Sequence, residues 1–376
     1  MASKLKLMTI LGTRPEIIRL SEVIKCADKY FQHQLVHTGQ NYDYELNQIF
    51  FEGLGLRQPD FYLNCAGNNL GETMGSIIAK SYNVLQEEQP DAVLVLGDTN
   101  SALSSISAKR LKIPVFHMEA GNRCWDWNVS EMINRKIVDH IADINLPYTE
   151  HARRYLISEG IDGKTMFVTG SPMREVLNAH RQEIETSRVL EELNLEAGKY
   201  ILLSAHREEN IDNEQNFMSL MNAINSVAES YQMPVIYSTH PRSKKFIDRR
   251  HYKFHPLVRN MKPFGFMDYN KLQMQSYCVL SDSGTLSEES AMLDFPAVLI
   301  RTSTERPEVL DKGTVVIGGI REQDIVQALD LAVAMHAANS SKAMPPDYLD
   351  GNVSAKVIRI IQSYTDIVRR TVWLQE

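Results

Sequence analysis

Residues 91–121 read DAVLVLGDTNSALSSISAKRLKIPVFHMEAG, and this stretch indicates the fold class. Two candidate strands, Ala92–Leu96 and Val115–Met118, flank a helical pattern over Ser101–Leu111. Strands separated by about 10–15 helical residues are typical of βαβ units, in which the strands run parallel. The run VLVL is apolar at every position, as expected of a strand covered on both faces. We therefore predict an α/β fold built on a parallel sheet.

The same alternation extends outward from this stretch and predicts two Rossmann-like, doubly wound domains. Further strands are predicted at 5–11, 34–38, 143–146, 200–204, 235–238, 278–280, 297–300 and 314–317, with a helix at 131–141 and a charged helical stretch at 173–194. We place the boundary near Gly170-Ser171-Pro172, so that 1–171 and 172–354 form the domains and a C-terminal helix at about 355–376 packs back on the first. Ligands of such sheets bind beyond the carboxyl ends of the strands, which predicts a cleft between the domains.

The composition of the 376-residue chain excludes several classes of protein. The net charge of −7 argues against a dedicated nucleic-acid binder. The four cysteines have no CxxC spacing, which argues against a disulfide framework and a structural zinc. No apolar run approaches the ~20 residues of a membrane helix, and the N-terminus does not resemble a signal peptide. We expect a cytoplasmic protein without a membrane or nucleic-acid partner.

The motif Gly12-Thr13-Arg14-Pro15-Glu16 follows the first predicted strand. Thr13 can cap the next helix and Pro15 suits its first position, which places Arg14 at a helix N-terminus suited to phosphate. A plain strand–turn–helix joint with a surface arginine explains the motif equally well. It is not the GxGxxG fingerprint, which argues against a nicotinamide cofactor.

Three carboxylates in the first half are candidates for proton transfer. Asp98 and Glu119 each follow a predicted strand, one crossover apart, so both should reach one pocket. Two nearby carboxylates can divide the roles of acid and base. Asp98 could instead cap the helix that begins near Ser101. Glu131 stands in the first turn of a predicted helix, where acidic residues are common for dipole reasons alone.

The second half carries a pattern suited to anion binding. The run VLSDSGTLSEESAM ends a strand at Asp282 and turns over small residues, whose backbone N–H groups can approach an anion closely. Glu288 or Glu289 could bind ribose hydroxyls or simply serve the helix dipole. Six further candidates also follow predicted strands: His206, Arg207, His240, Arg301, Glu305 and Arg306. The two histidines could instead be plain surface or loop residues.

Seven motifs occur in this order along nearly the whole chain: GTRPE, GDTNS, HMEAG, E-x-x-NR, HREEN, DSG-x-x-x-EE and RTSTERPE. Together they resemble the non-hydrolysing UDP-N-acetylglucosamine 2-epimerases, which share the architecture of the B-type glycosyltransferases. Variants such as HTGQNYDYELNQIFF and STHPRS are closer to one branch. That branch makes UDP-N-acetyl-L-fucosamine from UDP-2-acetamido-2,6-dideoxy-L-talose for bacterial capsule or O-antigen.

The resemblance implies a homodimeric isomerase that binds a UDP-linked 2-acetamido sugar and needs neither cofactor nor metal. UDP would be eliminated to leave a 2-acetamidoglycal and then added back. The expected catalytic residues are Asp98, Glu119, Glu131 and His206. The expected substrate- and UDP-binding residues are Arg14, Arg19, Arg207, His240, Ser283, Gly284, Thr285, Glu289 and Arg301. Trp125 and Trp127 are candidates for an apolar wall beside a 6-deoxy sugar, or are core aromatics.

Two departures from the family pattern qualify these expectations. Ser130 and Met132 flank Glu131 where the family has Pro and Glu, and Glu208 replaces the second arginine of His-Arg-Arg-Glu-Asn. The charge reversal at Glu208 argues against a second, activating nucleotide site. Other functions stay open: a UDP-N-acetylglucosamine/UDP-N-acetylmannosamine 2-epimerase, a B-type glycosyltransferase, and a non-catalytic UDP-sugar-binding regulator.

Overall fold

The structure is a computed structural model that describes residues 4–40, 44–125, 127, 129–338 and 344–375, with only the backbone at 44–48 and 208–209. The chain divides into two compact units. Unit 1 comprises Met1–Ala179 with Leu349–Glu376, and unit 2 comprises His180–Tyr348. None of the helices in the described ranges is long and apolar enough to cross a membrane.

Unit 1 is built on a six-stranded parallel sheet with the order β3-β2-β1-β4-β5-β6. Its strands are β1 (Lys6–Leu11), β2 (Gln32–His37), β3 (Phe61–Tyr62), β4 (Ala92–Leu96), β5 (Val115–Met118) and β6 (Ile144–Leu146). The central strand β4 is buried at every position, because helices cover both faces of the sheet. The strand order reverses between β1 and β4, and ligands of such sheets bind at that switch point.

Unit 2 repeats the same topology, with the strand order β12-β11-β10-β7-β8-β9. Its strands are β7 (Ile201–Ser204), β8 (Val235–Ser238), β9 (Val258–Met261), β10 (Cys278–Ser281), β11 (Ala297–Leu299) and β12 (Val316–Ile317). The switch point lies between β7 and β10, which pair in parallel. The prediction of two doubly wound α/β units with parallel sheets is therefore confirmed.

The helices flank the two sheets. In unit 1 they are α1 (Arg14–Tyr30), α2 (Tyr44–Gly53), α3 (Leu70–Glu88), α4 (Ser104–Arg110), α5 (Glu131–Ile141), α6 (Glu150–Ser158) and α7 (Met173–Ala179). In unit 2 they are α8 (Arg181–Thr186), α9 (Val189–Glu192), α10 (Glu208–Ile211), α11 (Glu214–Tyr231), α12 (Pro241–Arg249), α13 (Phe266–Gln275), α14 (Leu286–Leu293), α15 (Pro307–Asp311) and α16 (Glu322–Ala337). The final helix α17 (Val353–Val372) returns to unit 1 and packs on α1.

The structure corrects three expectations about the elements. The charged stretch at 173–194 is three short helices, α7, α8 and α9. Since α7 packs on α1, the units divide after Ala179 and not near residue 171. The strands β3 and β9 were not predicted, because they are edge strands without a continuous apolar run and are only partly buried.

Candidate active site

Asp98 and Glu119 follow the neighbouring parallel strands β4 and β5, whose last residues Leu96 and Met118 are paired. The backbone N–H of Gly97 donates to Met118 O at 2.9 Å, so the two strand ends stay joined as they turn. A Cβ placed on Gly97 would lie 3.6 Å from Glu119 Oε2. The Glu119 carboxylate therefore lies over the turn that carries Asp98, and the structure brings the two acids to one place.

The carboxylate of Asp98 is held by helix α5. Arg135 Nε donates to Asp98 Oδ2 at 2.6 Å, and Asn134 Nδ2 donates to the backbone oxygen of Asp98 at 2.9 Å. Asp98 is not the helix cap that the sequence also allowed, because Thr99 occupies the N-cap position of the 3₁₀ helix at Asn100–Leu103. The Asp98 side chain stays 20% exposed and can meet a ligand.

The carboxylate of Glu119 is held by the cation of Arg19 and the side-chain amide of Asn122. Arg19 forms an ion pair with Glu119 Oε2, and Asn122 Nδ2 donates to Oε1 at 3.0 Å. The guanidinium of Arg19 is buried against Glu119 and lies 5.9 Å from the ring centre of Tyr148, and the expected contact of Arg19 with UDP stays a prediction. The backbone of Glu119 has φ of +64°, a left-handed conformation that costs a non-glycine residue energy and is common at functional sites.

A buried cluster that was not predicted from the sequence supports the turns that carry Asp98 and Glu119. It contacts the backbone of both turns, at Gly97 and Gly121. Asp139 lies 3.0 Å from His117 Nδ1 and 2.7 Å from an Arg123 nitrogen, and it accepts the Gly121 N–H. The other nitrogen of His117 lies 2.8 Å from Gly97 O. Burial acts to raise the pKa of Asp139, but His117 and Arg123 outweigh it and hold that pKa below its ordinary value. No local spacing signals this cluster, because Asp139 pairs with Arg123, 16 positions away, and not with a neighbour on its own helix.

The GTRPE turn presents one cation and buries one acid. Arg14 begins α1 and its guanidinium lies 5.7 Å from the ring centre of Phe50. Glu16 is fully buried and accepts hydrogen bonds from Gly12 N–H, the Thr13 hydroxyl and the Ser101 hydroxyl. Burial raises the pKa of Glu16 to about 7 against the opposing effect of these hydrogen bonds. Through Glu16 the loops after β1 and β4 are tied together across the switch point.

Glu131 is the first residue of α5, as expected, and its carboxylate accepts a hydrogen bond from the Ser130 hydroxyl at 3.1 Å. It stands one turn before Asn134 and Arg135, the residues that hold Asp98. Side chains three and four positions apart share one helix face. Glu131 is therefore on the face of α5 that is directed to the Asp98 turn.

In unit 2 the switch point is organised around Asp282, which follows β10 and is fully buried. Its Oδ2 accepts the backbone N–H groups of His206 and Arg207, each at 2.9 Å, and Asn210 Nδ2 at 3.2 Å. Burial acts to raise the pKa of Asp282, but the imidazole of His206, the backbone N–H of Arg207 and the charge of Arg207 lower it to about 2. The loop after β7, which carries the predicted catalytic histidine, is thus anchored on β10.

The expected turn at Ser283, Gly284 and Thr285 is present, and α14 begins directly after it. The hydroxyls of Ser283 and Thr285 lie 2.9 Å apart. A Cβ placed on Gly284 would come within 2.7 Å of Glu305 Oε1, so no larger residue fits without a shift. Glu305 is fixed in turn, because it accepts from Arg207 at 3.0 Å and from Arg301 at 2.7 Å.

The remaining candidates of unit 2 are placed as follows. Glu289 is buried in the first turn of α14 and accepts from Gln273 Nε2 at 2.6 Å. His240 is the N-cap of α12, where its Nδ1 accepts the N–H of Arg242 at 3.2 Å. The rings of His240 and His206 lie next to one another, tilted by 32°, with their centres 5.4 Å apart. Both histidines therefore stand together at the carboxyl edge of the second sheet.

The candidate residues thus form two groups, one in each unit, and the cleft expected between the units stays a prediction.

Trp125 and Trp127 are 60% and 64% exposed, so the interpretation of these residues as core aromatics was wrong. Within the described ranges, no cluster of three or more His, Cys, Asp or Glu side chains is placed to hold a metal ion.

Known proteins resemble this chain over most of its length. A family model described as UDP-N-acetylglucosamine 2-epimerase matches residues 25–362. The solved UDP-N-acetylglucosamine 2-epimerase of Rickettsia bellii is similar with a TM-score of 0.92 and 46% identity, over 99% of this chain and 100% of that one. The enzyme of Methanocaldococcus jannaschii, solved in complex with UDP-GlcNAc and UDP, has a TM-score of 0.89 and 32% identity, over 96% and 100%.

A relative with a different named substrate is also similar. The UDP-2,3-diacetamido-2,3-dideoxy-D-glucuronate 2-epimerase of Pseudomonas aeruginosa is 32% identical over 330 residues, which cover 86% of this chain and 91% of that relative. The family match, these identities and the shared architecture agree with the motifs at the two sheet edges. The chain therefore belongs to the UDP-N-acetylglucosamine 2-epimerase family of isomerases.

Proposed function

We propose that this protein is a UDP-sugar 2-epimerase that inverts C2 of a UDP-linked 2-acetamido sugar by eliminating UDP and adding it back. The observation that carries the proposal is the placement of the Glu119 carboxylate over the turn that bears Asp98. Family membership supports the same reaction. Epimerisation by this route requires a proton to leave one face of C2 and return to the other, so it needs more than one acid–base group.

The proposed steps balance without an external oxidant. A carboxylate takes the C2 proton, the C2–H electron pair becomes the C1=C2 double bond, and the C1–O electron pair leaves with UDP. The reverse steps deliver a proton to the opposite face and restore the C1–O bond. Asp98 and Glu119 are the proposed C2 acid and base, since general acid–base groups must lie within reach of the proton. Glu131 is proposed to hold or protonate the intermediate.

The leaving group is a diphosphate, so cations and N–H donors are needed where its charge develops. In this proposal His206 and Arg14 face the diphosphate, and the turn at Ser283 and Gly284 binds it through backbone N–H groups. Glu289 is proposed to contact the ribose. Arg207 and Arg301 act through Glu305, which they hold beside Gly284.

We propose that the substrate is UDP-2-acetamido-2,6-dideoxy-L-talose. Its product is UDP-N-acetyl-L-fucosamine, which serves capsule or O-antigen synthesis. The motif variants support this branch, and the exposed Trp125 and Trp127 offer apolar surface for a 6-methyl group. The alternative substrate is UDP-N-acetylglucosamine, the sugar named for many relatives. On the same resemblance we propose that the protein is a cytoplasmic homodimer. Cell fractionation tests its location, and analytical sedimentation tests its oligomeric state.

The reaction is tested by incubating the enzyme with each UDP-sugar in heavy water and no acceptor. We expect deuterium at C2 of the product, with the 6-deoxy-L-talo substrate turned over faster. A product without deuterium at C2 would exclude the elimination route, and a need for an acceptor would favour a glycosyltransferase.

A variant pair then tests the proposed site. Asp98→Asn should reduce kcat by roughly 10²–10⁴-fold, the usual contribution of a general base. Asp143→Asn is the matched control, because Asp143 is likewise an aspartate paired with a cation, Lys109, but precedes β6 and so lies at the amino-terminal ends of the strands. Equal losses in both variants would mean that Asp98 serves the fold and not the reaction.

A further inference from the structure

We infer that Asp282 is a positioning residue that orients the imidazole of His206, so that one ring nitrogen faces the buried carboxylate and the other faces the ligand. The inference rests on the proposed function for its role in catalysis. Asp282 follows β10 and His206 follows β7, the two strands that border the switch point of unit 2. The pair is therefore located where ligands of doubly wound sheets bind.

The two oxygens of Asp282 have different tasks. Oδ2 accepts three hydrogen bonds, from the backbone N–H groups of His206 and Arg207 and from Asn210 Nδ2. Oδ1 lies 3.2 Å from His206 Nδ1, within hydrogen-bonding distance although the N–H does not point straight at the oxygen. Oδ1 has no better donor among the described residues. A buried carboxylate oxygen requires a donor, so this contact favours the proton on Nδ1.

The contact between Asp282 and His206 Nδ1 also decides which nitrogen of the His206 ring faces a ligand. The side chain of His206 is 36% exposed, whereas that of Asp282 is fully buried. With Nδ1 directed at the carboxylate, Nε2 is the nitrogen left to face a ligand. A buried carboxylate behind an imidazole selects one tautomer and stabilises the imidazolium. With the proton of the neutral ring on Nδ1, only the imidazolium can donate from Nε2, and its positive charge also stabilises a diphosphate leaving with the C1–O electron pair.

The neighbouring groups are compatible with this arrangement. The ring of His240, 5.4 Å from that of His206, accepts an N–H at Nδ1 and so carries its proton on Nε2. Arg207 is directed away from the histidine, because its Nε donates to Asp282 O and its Nη2 to Glu305. The acidic group held against the His206 ring is therefore Asp282.

The substitution Asp282→Asn separates orientation from folding. Three N–H donors converge on the Oδ2 position, so the amide oxygen of the asparagine should take that position and keep the loop in place. The amide NH₂ then replaces Oδ1 and presents a donor to His206 Nδ1. The imidazole has to accept at Nδ1, which moves its proton to Nε2 and removes the stabilisation of the imidazolium.

The experiment is ¹⁵N NMR of histidine-labelled, full-length protein, with His206→Gln used to assign the signals. We expect an Nδ1-protonated ring in the wild type and an Nε2-protonated ring in Asp282→Asn. In turnover assays the variant should lose kcat by roughly 10²–10⁴-fold, as other tautomer-selecting Asp→Asn changes do. KM and the Kd for UDP should change by less than about threefold, because ground-state binding is retained.

Glu308→Gln is the matched control, since Glu308 is a buried acid of unit 2 that bonds to Tyr348 and does not contact His206. It should leave the His206 signals unchanged. The inference is overturned if Asp282→Asn keeps the wild-type tautomer, or if its loss of kcat is matched by Glu308→Gln. If the wild-type enzyme does not epimerise any UDP-sugar, the proposed function fails, but the NMR comparison still decides whether Asp282 sets the tautomer.

Discussion

Replacing Glu16 by glutamine should change how the stability of unit 1 depends on pH. Glu16 is fully buried, and its pKa is raised from 4.5 to about 7. Between these two values the folded protein keeps a proton that the unfolded chain has lost. Stability therefore falls as pH rises through this window, because the unfolded state binds fewer protons. Above about pH 7 the burial of the charged carboxylate costs a constant amount.

The size of the effect follows from the shift. Each pKa unit corresponds to about 1.4 kcal/mol, so the cost above pH 7 is on the order of 3 kcal/mol. Glu16→Gln mimics the protonated acid, since its amide can accept from Gly12 and Thr13 and donate to Ser101. The variant should match the wild type near pH 4.5 and be more stable at pH 8. Ser101→Ala should have the opposite effect, because the Ser101 hydroxyl lowers the pKa of Glu16.

Urea unfolding followed by tryptophan fluorescence is the appropriate assay, because all three tryptophans belong to unit 1: Trp125, Trp127 and Trp373. The measured quantity is the difference in unfolding free energy between variant and wild type at several pH values from about 5 to 8. Titrations of other groups cancel in this difference. A difference that stays constant over the whole range would show that Glu16 does not titrate there and would refute the reasoning.

Three further predictions concern the two sheet edges. Arg135→Met removes the cation paired with Asp98 and should lower kcat by at least tenfold while the Kd for UDP, measured by calorimetry, is unchanged; an unaltered kcat would contradict the proposed role of this pair. Asp139→Asn should lower the unfolding free energy by roughly 3–5 kcal/mol at pH 7, as breaking a buried ion pair does. Because the pKa of Asp139 is lowered in the fold, this loss should shrink as urea curves are measured at increasingly acidic pH. Gly284→Ala places a Cβ 2.7 Å from Glu305 Oε1 and should weaken UDP binding by about tenfold, since overpacking costs about 1–3 kcal/mol; an equal Kd would rule out close contact of this turn with UDP.

The fold could be predicted from the chain because its main signals are local. The continuous apolar run Ala92–Leu96 and the largely apolar run Val115–Met118 coincide with the observed strands. The edge strands Phe61–Tyr62 and Val258–Met261 were missed, since a short strand with partly exposed side chains has no such signal. The division of the 173–194 stretch was missed for a related reason: helical composition alone does not show where packing against α1 ends.

The sequence by itself determined which chemical groups stand at the carboxyl ends of the strands, among them Asp98, Glu119 and His206. Only the tertiary structure decided what each of them meets. Asp98 pairs with a residue 37 positions away and Glu119 with one 100 positions away. The carboxylate beside His206 comes from a loop 76 positions away. The physical reason is that a strand end is defined by neighbours in the chain, whereas ion pairs and buried hydrogen bonds depend on where distant loops converge at a switch point.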